Sequence, residues 1–129
     1  MAHDPARLQA IMEAAMPTDV AWRFRPMFGG IGAYAHDRMC VSLSDVGLAV
    51  KLEGDAHAAL LKLKGARALQ YEPSMPPSKT YVVVPAAMLK DRGALGQWLR
   101  ISAQQAAGRA KKPRKAKRAT TLRRKAMAG

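Results

Sequence analysis

Met39-Cys40-Val41-Ser42-Leu43-Ser44-Asp45-Val46-Gly47-Leu48-Ala49-Val50-Lys51-Leu52 is the stretch whose reading decides the fold. Met39, Val41 and Leu43 alternate with Cys40, Ser42 and Ser44, the period of a half-buried strand. Leu48, Val50 and Leu52 repeat that pattern against Ala49 and Lys51. Ser44-Asp45-Val46-Gly47 between them has turn chemistry. Two alternating runs on a short turn predict an antiparallel hairpin.

Working upstream, His36-Asp37-Arg38 is a tight connection, and residues 31–35 form a third strand of the meander. Gly29-Gly30-Ile31-Gly32 precedes it. A phosphate-binding glycine loop needs a strand before it and a helix after it, and here strand-like sequence follows. The glycines are therefore expected to let the chain kink or bulge. Residues 21–25, in which Trp22 and Phe24 alternate with Arg23 and Arg25, read as a short additional strand. Pro26 keeps Arg25 out of the helical region. Asp4 and Pro5 open a first helix with Leu8, Ile11, Met12 and Ala15 on one stripe, and Pro17 ends it.

Downstream, a second helix is expected over residues 55–64, with Leu60 and Leu63 inward and Gly65 at its close. Residues 68–72 and the β-branched run 80–84 read as strands around a Pro-rich loop. A helical turn is expected at 86–91. A third helix follows at 94–109, with Leu95, Trp98 and Leu99 on its buried side. The order α-β-β-β-α-β-β-α predicts an α+β domain, a two-layer antiparallel sheet with helices packed on it.

Charge divides the 129 residues unevenly. Ten of the 22 Lys and Arg residues fall in 109–129, which holds no acid, leaving 12 against 9 acids in 1–108. The boundaries are thus a folded domain, 1–108, and a basic tail, 109–129, expected to be disordered when free. Arg109, Lys111, Lys112, Arg114, Lys115, Lys117, Arg118, Arg123, Arg124 and Lys125 form an interaction arm suited to phosphates. Lacking aromatic residues, the arm should bind nucleic acid, DNA first, without reading sequence.

One cysteine, Cys40, precludes an intrachain disulfide and reads as a small buried hydrophobe. His3, His36 and His57 have no metal-ligand spacing and read as surface histidines. No cofactor, metal or catalytic group is implied. No run is long and apolar enough to span a membrane, and the N-terminus has no secretory pattern, so a cytoplasmic protein is expected.

Arg25-Pro26-Met27-Phe28-Gly29-Gly30-Ile31-Gly32-Ala33-Tyr34 resembles the signature of the TfoX (Sxy-like) N-terminal domain family. The likeness continues through Val50-Lys51-Leu52, Thr80-Tyr81-Val82-Val83-Val84-Pro85 and Leu95-Gly96-Gln97-Trp98, over residues 5–108. Its motif positions are Arg25, Met27, Phe28, Gly29, Gly30, Gly32, Tyr34, Lys51, Tyr81, Pro85 and Trp98. The resemblance implies a fold like that of type III secretion chaperones, no enzymatic activity, and a part in bacterial gene regulation and competence. Full-length regulators of the family carry a second, helical C-terminal domain, where this chain has the basic tail. An adaptor that engages a protein partner through the domain, with the tail aiding solubility or localisation, is the alternative.

Overall fold

Asp4 starts the first helix by accepting the Ala6 N–H at 3.1 Å, with Pro5 in the first turn. In the computed structural model, which describes residues 3–27, 29–70, 72 and 74–111 (side chains to 108), α1 runs Pro5–Ala15. Met16 then turns extended ahead of Pro17. The six strands are β1 Trp22–Met27, β2 Gly30–Ala35, β3 Arg38–Ser44, β4 Gly47–Lys51, β5 Arg67–Ala68 and β6 Tyr81–Val83. Between them lie α2, Gly54–Leu61, and, after β6, a 3-10 turn at Ala86–Lys90 and α3 at Arg92–Lys111.

All strand pairs are antiparallel, in the order β1-β2-β3-β4-β6-β5. The expected α+β order is present, and the additional strand exists as β1. It includes Pro26, which an edge strand tolerates because its outer N–H has no ladder partner. The β2–β3 turn places His36 at φ 54° and Asp37 at φ 61°, the two positive values of a type I′ hairpin.

Helices α1 and α3 cover one face of the sheet. Leu8 and Met12 from α1 meet Leu95, Leu99, Ala103 and Ala106 from α3 over Val41, Leu43, Leu48, Val50 and Val82. Full burial of such a side chain contributes about 1.5–3 kcal/mol. Gly96 permits the helices to touch: a Cβ there would stand 2.6 Å from the Ala15 carbonyl oxygen. Asp91 captures the Ala94 N–H at 3.1 Å, so α3 begins two residues before the expected start. It continues through Lys111, which makes the first three residues of 109–129 helical.

The alternation predicted for 39–44 fails at its start. Ala33 pairs with Val41 but Tyr34 pairs with Met39, leaving Cys40 as an extra residue in β3. This β-bulge turns Cys40 and Val41 both into the core and sends Met39 to the opposite face. Ser102 of α3, fully buried, serves the disturbed ladder: its Oγ donates to the Lys51 carbonyl at 2.7 Å and lies 3.4 Å from that of Cys40. Gln105 clamps Glu53, two residues after Lys51, with Oε1 accepting from Glu53 N–H and Nε2 donating to Glu53 C=O.

Two smaller expectations are also corrected. Helix α2 stops at Leu61, so Leu63 falls outside it and is exposed, as is Leu61. His57 is half-buried rather than superficial, and its Nε2 is buried without a partner among the described residues. The histidine at position 3 is half-buried too, while His36 is exposed as expected.

Candidate functional site

The face of the sheet away from α1 and α3 is built from small residues. Register places Gly30 opposite Met27 on β1, Gly32 opposite Ser42, and Ser42 opposite Ala49. These positions cannot fill the space above them. A Cβ at Gly30 would stand 2.6 Å from the Leu43 carbonyl oxygen, and one at Gly32 2.7 Å from Met27 Sδ. Around this low floor rise Met27, Met39 and Tyr81, while Gln70, Met75, Pro76 and Ser78 of the β5–β6 connection close over it. The result is a hollow of about 610 Å³, walled mainly by apolar atoms.

The walls are held by local hydrogen bonds. Ser78 Oγ accepts the N–H groups of Thr80 and Tyr81, at 3.2 and 2.9 Å. Gln70 Nε2 donates to the Met75 carbonyl at 2.6 Å, and Ser78 N–H donates to that of Leu69 at 2.7 Å. Ser44 Oγ accepts from Val46 N–H at 3.2 Å. At the edge, Lys51 Nζ stands 6.0 Å from the ring centroid of Tyr81; on β1, the Arg25 guanidinium stands 5.9 Å from that of Tyr34.

Seven of the motif positions thus share this face: Arg25, Met27, Gly30, Gly32, Tyr34, Lys51 and Tyr81. Gly29 lies beside it, in the turn between β1 and β2, at φ 78°. A model of the TfoX N-terminal domain matches residues 20–106. The chain belongs to the TfoX N-terminal domain family. The matched span covers the whole sheet and most of α3 but leaves α1 outside. Membership in the TfoX N-terminal domain family associates the chain with bacterial regulatory proteins. No curated protein and no solved structure gives a significant match.

The remaining expected residues lie elsewhere. Trp98 is half-buried on α3 against the core, and buried Pro85 follows β6, beside Gly65. Trp22 and Phe24 pack toward the core with Arg23 and Arg25 on the other side, so β1 is an amphipathic strand. Arg109 and Lys111 are in α3. Phe28, Lys112, Arg114, Lys115, Lys117, Arg118, Arg123, Arg124 and Lys125 lie outside the described residues.

Sequence reasoning missed Met39, Ser42, Leu69, Gln70, Met75 and Ser78 as parts of one site. Only the alternation of small residues at 30, 32, 42 and 44 hinted at it, and pairing was needed to align them. Among the described residues no group of three His, Cys, Asp or Glu is placed to hold a metal. No helix among them is long and apolar enough to cross a membrane. The Asp19–Arg100 ion pair ties the α1–β1 connection to α3, and neither residue lines the hollow. Arg100 donates to both Asp19 oxygens at 2.9 and 3.0 Å, which holds the Asp19 carboxyl below its ordinary pKa.

Proposed function

We propose that the chain is a non-enzymatic regulatory protein that holds DNA without sequence specificity through residues 109–129. The observation that carries this reading is the charge partition: ten cations and no acid in 21 residues, beside a domain with 12 cations and 9 acids. Helix α3 supports it by leading out of the core, whose last buried residue is Ala106, directly into the basic run. Lys and Arg bind phosphate chiefly by releasing condensed counterions, so affinity should follow salt rather than sequence.

The test compares the full chain with a full-length variant in which the ten basic residues become glutamine. With six to ten phosphate contacts, the unaltered chain should lose about 10³–10⁵ in affinity for duplex DNA between 50 and 200 mM salt. The variant should bind at least a hundredfold more weakly at the lower salt. Equal binding by the two chains would refute the reading. Affinity that depends on DNA sequence would refute its non-specific character. The adaptor reading is favoured by the exposed Leu61 and Leu63, and one defined partner captured after nuclease treatment by both chains would support it.

A further inference from the structure

We infer that the outer-face hollow binds a small amphipathic carboxylate, its apolar chain among Met27, Met39 and Met75 and its carboxylate at Lys51. The inference is independent of the DNA reading, since none of the residues involved lies in 109–129.

The size is that of a small-molecule site, about 610 Å³ against a usual range of roughly 300–1,000 Å³. Among the described residues no Asp, Glu, Lys, Arg or His lines it, so a charged group inside would lose hydration without a counter-charge from them. Three of the chain's eight methionines stand at its walls. Their unbranched thioethers adapt to an apolar chain of variable shape. The Gln70 amide, Ser44 and Ser78 already engage backbone groups, so they brace the hollow more than they offer an anion site.

The head group belongs at the edge. Tyr81 lines the hollow, and Lys51 Nζ stands 6.0 Å from its ring centroid, whereas Arg25 on β1 lies three strands from Lys51 on β4. Among the described residues Lys51 has no carboxylate within 4.0 Å, whereas Arg23 and Arg100 have Asp37 and Asp19 at 2.8 and 2.9 Å. The Tyr81 ring restricts a cation that has no carboxylate partner among the described residues. Strand addition by a peptide is not available over this floor, because β2, β3 and β4 are each paired on both sides. A free amphiphile satisfies the apolar walls and the cationic edge together.

The test titrates the full chain, labelled with ¹³C at the methionine methyls, with decanoate and with neutral 1-decanol at 0.3 M salt. Decanoate should shift the Met27, Met39 and Met75 methyls saturably and leave Met12 and Met88, in the core on the other side of the sheet, unmoved. Lys51→Met should weaken decanoate about tenfold and leave decanol binding as it was; Lys51→Gln should do the same if Lys51→Met does not fold. Absence of a saturable shift at the three methyls would overturn the proposal, as would shifts confined to Met127 in the basic tail. Equal weakening of the acid and the alcohol, or of neither, would overturn the carboxylate assignment.

Discussion

Gly96 and Gly108 lie twelve residues apart on α3, and replacing each by alanine should move stability in opposite directions. Alanine is favoured over glycine inside a helix by about 1 kcal/mol, whichever position is changed. At Gly108 nothing lies within 4 Å of the new Cβ, so that gain stands. At Gly96 the Cβ would stand 2.6 Å from the Ala15 carbonyl oxygen, where ordinary contact begins at 3.4 Å. Backbone cannot rotate out of the way as a side chain can. Helix α1 would have to retreat by about 0.8 Å, and Leu8 and Met12 with it, from a core already close-packed. Overpacking of this kind costs typically 1–3 kcal/mol, which exceeds the helix gain over most of that range. Gly96→Ala should therefore destabilise by up to about 2 kcal/mol net, and Gly108→Ala should stabilise by about 0.4–1 kcal/mol. Urea unfolding of both variants and the parent, at unchanged m-value, reads the difference. A Gly96→Ala chain stabilised as much as the Gly108→Ala chain would show that α1 and α3 do not meet as closely as described.

Ser102→Ala should cost about 1–3 kcal/mol, because it leaves the Lys51 carbonyl at the bulge without its buried donor; thermal unfolding checks it. Leu99→Ala, at a position with no exposure, should cost about 2–5 kcal/mol in the same assay. Gly29→Ala meets nothing in space but must hold φ 78°, so a loss of about 1–2 kcal/mol is expected from conformation alone. Asp19 has a folded pKa depressed below its ordinary 3.8 by the Arg100 hydrogen bonds. Its contribution is thus present above pH 3.8 and lost as pH falls through the lower folded value. Asp19→Asn should remove that pH dependence, seen as a flatter melting temperature between pH 4 and pH 2.

Much of the fold was legible because it follows from local rules. Asp4-Pro5 opens α1 by chemistry confined to one turn, and the Leu48–Leu52 alternation needs only the two-residue period of a strand. The same rules erred at Met39 and Cys40. A bulge there is stabilised from outside the strand, by Ser102 some sixty residues away in sequence, and nothing in residues 39–44 announces it. The start of α3 was misplaced because Asp91 was assigned to the preceding turn, when its side chain caps the helix that follows.

The sequence by itself determined the two-layer α+β plan, the membership suggested by the Arg25–Tyr34 segment, and the separation of charge at residue 109. These depend on periodicity, composition and order, which are properties of the linear chain. Only the tertiary structure decided that Gly30 underlies a hollow, that Met27, Met39 and Met75 line it together, and that Lys51 stands beside Tyr81 at its edge. Those relations depend on strand register, and register is set by the bulge and the packing of one face against α1 and α3, which no single segment contains.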